Sequence, residues 1–150
     1  MRMRFWMGCL ALLFCLGSGS QALAHCEIPC GIYDDSMRVS MLKEHLVTIE
    51  KSMDTIKSLK EKESPNMNQL VRWIMNKEDH ANQFQEIVSQ YFMTQRIAPD
   101  SEHYGQKVEV LHQMLVQAMR CKQTTDTGHV QNLRELIREF EKLYFGHSHD

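Results

Sequence analysis

The chain has 150 residues, 43% apolar and 24% charged, with 3 Pro, 7 Gly and a formal net charge of −2. That is one domain's length, with apolar residues enough for a core and no basic excess pointing to nucleic acid. Aromatics stand at 8% against 11 Met, and β-branched residues are scattered, a balance that favours helices over a sandwich or barrel.

The first 24 residues read as a secretory signal peptide. Arg2 and Arg4 form a basic start, Phe5 to Leu16 an apolar stretch, and Gly17-Ser18-Gly19-Ser20-Gln21 breaks it ahead of Ala22-Leu23-Ala24. The 12 residues from Phe5 to Leu16 fall short of the ~20 a membrane span needs. His25 stands before Cys26 where a lipoprotein carries a small residue. Cleavage after Ala24 leaves a mature chain over 25–150 that starts at His25, with 15 basic and 19 acidic side chains and three cysteines. Its expected location is periplasmic or secreted, with no membrane segment in the mature form.

Four helices are predicted in that mature chain, in one domain without repeats. Asp34-Asp35 can cap the first, whose apolar positions are Val39, Leu42, Leu46, Ile49, Met53, Ile56 and Leu59, stepping by three or four. Ser64-Pro65 reads as cap and first-turn proline of the second, with Leu70, Ile74, Ala81, Phe84, Val88 and Tyr91 inward and an end near Pro99. Asp100-Ser101 opens the third, with Val108, Leu111, Leu115 and Ala118, and Lys122 to Gly128 forms a polar loop. Val130, Leu133, Ile137, Phe140 and Tyr144 line the fourth, which stops at Gly146 and leaves a frayed tail from His147 to Asp150. Long helices joined by short turns predict an all-α, antiparallel four-helix bundle.

Ahead of the bundle stands His25-Cys26-Glu27-Ile28-Pro29-Cys30-Gly31-Ile32-Tyr33. Pro29 and Gly31 make a turn that folds Cys30 back towards Cys26. A metal there is offered two thiolates, the α-amine and imidazole of His25, and the backbone nitrogen of Cys26. Consecutive amine, amide and thiolate donors close tight chelate rings, which favour square-planar Ni(II) or Cu(II) over tetrahedral zinc. Spacing alone leaves a Cys26–Cys30 disulfide and a zinc half-site open as well.

The string His-Cys-x-x-Pro-Cys-Gly-x-Tyr at a mature N-terminus, ahead of a helical domain, resembles the metal hook of the nickel superoxide dismutases. His25, Cys26, Pro29, Cys30, Gly31 and Tyr33 match that motif in order and spacing. The resemblance implies a nickel cofactor held by His25, Cys26 and Cys30, with the thiolates, the His25 amine and the Cys26 nitrogen in the plane and the imidazole axial. It implies superoxide as substrate, converted to O₂ and H₂O₂ by Ni(II)/Ni(III) cycling, with Tyr33 at the mouth of the site and a homohexameric assembly. Tyr91 corresponds to a second family tyrosine near the metal, or else is a core residue of its stripe. Some members support the axial imidazole with a glutamate and an arginine. Here Ser36 to Met41 holds no matching acid, and Asn76-Lys77 stands at the arginine position.

The remaining candidates have plainer readings. Glu109-x-x-His112 is one copy of a pattern that di-iron bundles need twice, so it reads as a surface pair. Cys121 reads as an inert thiol, Trp73, Phe84 and Phe140 as core or subunit contacts, and Lys57 to Glu63 as a solvated face. The rival to the enzyme is a non-enzymatic periplasmic helical bundle that binds metal as a sensor or carrier. The enzyme needs His25 free at the N-terminus, whereas the carrier tolerates residues ahead of it.

Overall fold

A computed structural model describes residues 34–146. The chain divides into two compact units, Met1–Cys30 and Gly31–Asp150, and the described residues all belong to the second. They form α1 (Asp35–Lys60), α2 (Met67–Glu86), a π-helical segment (Ile87–Arg96), α3 (Tyr104–Gln123) and α4 (Gly128–Phe145), with no strand among them. Each of α1 and α3 packs against both α2 and α4, which closes a four-helix bundle around one core. Side-chain pairs give the directions. His45 meets His80 and Ser52 meets Asn76 across α1 and α2, while Gln85 reaches the Leu115 carbonyl and Lys77 that of Cys121. Lys43 meets Glu141 and Glu50 meets Gln131 and Arg134, while Lys107 lies over the Tyr144 ring and Gln117 meets His129. In every pair the numbers rise along one helix as they fall along the next, so all neighbours run antiparallel.

All seven apolar positions expected on α1 are buried. Phe84, Phe92 and Phe140 are wholly buried and Gly146 ends α4 with φ +79°, a conformation that glycine adopts without a Cβ clash. Three boundaries differ from the sequence reading. Asn66, not Ser64, caps α2, its side chain accepting from the Gln69 N–H at 3.1 Å. Asp100-Ser101 does not open α3. Ala98 to Ser101 closes a turn, with the Ser101 N–H on the Ala98 carbonyl, and α3 starts at Tyr104 behind a left-handed His103. The Lys122–Gly128 loop shrinks because α3 runs to Gln123 and α4 begins at Gly128.

The largest departure lies in the first half of α2. Ile74 is 40% exposed and Leu70 only half-buried, and Met67, Val71 and Met75 are exposed beside them. Lys77 explains this. It is buried on the core stripe and its ammonium donates to the carbonyls of Cys121 and Lys122, covering the C-terminal end of α3. Residues of α2 before Lys77 therefore run past the end of α3 and pack on α1 alone. The residues His147 to Asp150, expected to fray, lie outside the described residues.

His45 is buried in the α1–α2 seam with its Nδ1 2.9 Å from that of His80. Burial first, then the neighbouring His80, holds its pKa below the ordinary imidazole value, against an opposite pull from Glu44. The unfolded chain therefore takes up this proton first on acidification. Stability is expected to be level above about pH 6.5 and to fall below it as pH drops through the folded-state pKa. Thermal melts against pH check this, and His45→Gln should flatten the acid limb.

Candidate functional site

The stripes of α1, the π-helical segment and α4 converge at one end of the bundle, and there a half-buried carboxylate meets aromatic side chains. Asp34 caps α1, accepting from the Ser36 N–H at 3.2 Å, which turns the next residue inward. Asp35 lies four residues before Val39 and seven before Leu42, on the apolar stripe itself. Its Oδ1 accepts from the Tyr91 hydroxyl and from Arg96 Nε at 2.9 Å, and its Oδ2 accepts from the Tyr144 hydroxyl at 2.8 Å. Arg96 Nη2 also donates to the Tyr91 oxygen at 3.0 Å.

The π-helical winding makes this possible. Its wider turn, with the Ile97 N–H on the Phe92 carbonyl, brings Arg96 back beside Tyr91 five positions later. In an α-helix those positions diverge by about 140°. Guanidinium carbons of Arg38 and Arg96 stand 4.8 and 5.1 Å from the Tyr91 ring centroid. Phe92, Phe140 and Tyr144 pack edge-on or stacked below, with centroids 4.9–5.7 Å apart.

Burial raises the Asp35 pKa, but the bonds from Tyr91 and Tyr144 and the Arg96 charge outweigh it and hold the carboxyl below its usual range. Burial and the bond to Asp35 push both tyrosines up, Tyr144 the further. At neutral pH the cluster is an ionised acid receiving two neutral phenols. Tyr91 is a core residue of its stripe, with its ring buried and its hydroxyl proton directed onto Asp35.

The described residues hold no group of three or more His, Cys, Asp or Glu suited to a metal ion. Glu109 and His112 are exposed, and Glu109 meets only Gln113, a surface pair as expected. Cys121 is buried and its thiol is pushed up to about 11 by burial, although Lys77 opposes this, so it stays protonated at neutral pH. Trp73 is half-buried beside Lys51. His25, Cys26, Cys30 and Tyr33 lie outside the described residues.

Among known families, the model for nickel-containing superoxide dismutase matches residues 20–148. The chain belongs to that family. No curated protein and no solved structure matches it in the same comparisons. The protein is accordingly a superoxide dismutase, an enzyme that uses nickel to convert superoxide to O₂ and H₂O₂.

Asp35→Asn removes the charge that holds both phenolic protons. Tyr91 and Tyr144 should then ionise at lower pH than in the parent, read by ultraviolet difference absorbance on alkaline titration. Stability should fall by about 1–3 kcal/mol, because Arg96 loses its charged acceptor.

Proposed function

We propose that nickel is held by His25, Cys26 and Cys30, in a hook over residues 25–33 that removal of residues 1–24 exposes. The observation that carries this reading is the chemistry of the available donors. The bundle offers no three-ligand group among its described residues, and its buried thiol is protonated. The hook string supplies two thiols, an imidazole and, once cleaved, an α-amine, the mixed sulfur and nitrogen set that suits square-planar nickel. The family match begins at residue 20 and so takes in the hook while leaving out the basic and apolar start of the chain. That fits a signal peptide and export to the periplasm or beyond.

When bound, nickel supplies the one-electron oxidation and reduction of superoxide. The chain's own residues do the rest. The neutral form of the His25 amine, accessible near its pKa of ~7.7–8.0, is the one that ligates. Tyr33 stands at the mouth and limits what enters. Asp35 follows it by two residues, so the Asp35 clamp fixes the covalent root of the hook. The Tyr91 proton is committed to Asp35, so the protons of H₂O₂ come from solvent or from the hook.

The mature chain acts as a homo-oligomer, a hexamer in the reading the resemblance gives. The part of α2 beyond the end of α3 supports association, because Met67, Val71, Ile74 and Met75 lie on one exposed helical face.

Cys26→Ser and Cys30→Ser should each abolish nickel binding and dismutase activity while helicity stays near wild type, since the hook precedes the first core position. Full activity in either overturns the ligand set, and helicity lost in step with activity points to a structural disulfide. One Ala added ahead of His25 should be nearly as damaging, because it converts an amine donor into an amide. Bound nickel and superoxide removal compare the two forms, with intact mass confirming each N-terminus. Equal activity overturns the N-terminal hook.

A further inference from the structure

The seam between α1 and α2 holds one polar pair that superoxide chemistry does not use. His45 and His80 face each other with Nδ1 atoms 2.9 Å apart, ring centroids 5.1 Å apart and planes inclined at 57°. Each ring's hydrogen bond among the described residues is to the other. Further along the seam, Asn76 donates to Ser52 at 3.0 Å, an ordinary amide–hydroxyl pair. At this separation one ring donates its Nδ1–H to the lone pair of the other, and an ion that took that proton's place would be offered both lone pairs.

We propose that His45 and His80 form a second, two-imidazole site for a divalent ion, Ni(II) or Cu(II), separate from the hook. The spacing selects the ion. A metal about 2.0–2.1 Å from each nitrogen subtends about 90° across such a gap, the angle of neighbouring ligands in square-planar and octahedral complexes. Tetrahedral ligands at that bond length stand about 3.4 Å apart, so Zn(II) fits less well.

On binding, the rings turn about their Cβ–Cγ bonds until the lone pairs converge. The ring that donates the hydrogen bond takes its other tautomer, so both bind as neutral imidazoles and no proton is released. His80 is half-buried, which leaves a side open for the ion to enter and for water to complete its coordination. The negative charge of Glu44, which acts on His45, favours a cation. The two ligands come from different helices, so the unfolded chain does not hold them together and the ion stabilises only the folded state.

The test uses the mature protein with its hook filled and, in parallel, the Cys26→Ser/Cys30→Ser chain, so that failure of the hook reading is separable. One further equivalent of Ni(II) or Cu(II) should raise Tm by about 3–6 °C in both, and Zn(II) by less. His80→Gln should remove the rise. An ion held by sequence neighbours such as His147 and His149, which the unfolded chain also keeps close together, leaves Tm nearly unchanged. A bound ion without a Tm shift, or a rise that survives His80→Gln, overturns the proposal. Should His80→Gln not fold, the unsubstituted protein decides. Substoichiometric Cu(II) should broaden the ring resonances of His45 and His80 together, and broadening confined to other histidines overturns the site.

Discussion

The half-buried carboxylate of Asp35 is the constraint on which the functional end of the bundle depends. An ionised acid on an apolar stripe is tolerable only if its lone pairs are filled, and here two phenols and a guanidinium fill them. Those donors come from the π-helical segment and from the last turn of α4, so satisfying one charge ties the beginning of α1 to both. The aromatic rings beneath exclude water and so strengthen each of these bonds. A loss at any member leaves another buried group without its partner, which makes the cluster cooperative rather than a sum of contacts.

That cooperativity bears on function through position in the chain. The clamp holds the residues that immediately follow Tyr33, and a short metal-binding segment is only as well placed as its attachment. A bundle held by apolar packing alone leaves its first turn free to fray, since the first four N–H groups of a helix lack internal partners. Asp34 and Asp35 divide the remedy. The first caps backbone N–H groups and the second anchors the side-chain network, so α1 starts at a defined residue in a defined direction.

Much of the fold was legible from periodicity, because α1 and α4 bury what their spacing says they bury. The failures share a cause. Periodicity detects apolar residues at helical intervals, but it says nothing of where a neighbouring helix ends. Ile74 sits at core spacing and is exposed because α3 stops opposite Lys77. The polar residues on the stripes were the missed signal: Lys77, Lys107 and Glu141 each break an apolar run and are nonetheless buried, and Asp35 is half-buried. Asp35 was read only as a cap, although its register with Val39 and Leu42 already placed it inward. The π-helical turn has no counterpart in an α-helical pattern, so the meeting of Arg96 with Tyr91 could not be read from spacing.

The hook shows the opposite balance. In the proposed reading its chemistry is written in a run of nine residues, because chelation by consecutive donors depends on sequence order and on a free terminus more than on tertiary packing. The bundle needs only to present that terminus, which explains why an enzyme's described body contains no three-ligand metal group of its own. Catalytic donors and folding information are thus separated along the chain. Substitutions in the core should act on stability and assembly, whereas substitutions in the proposed hook should act on the metal. Asp35 lies where the two meet: it belongs to the folded body by its contacts and to the hook by its place in the sequence.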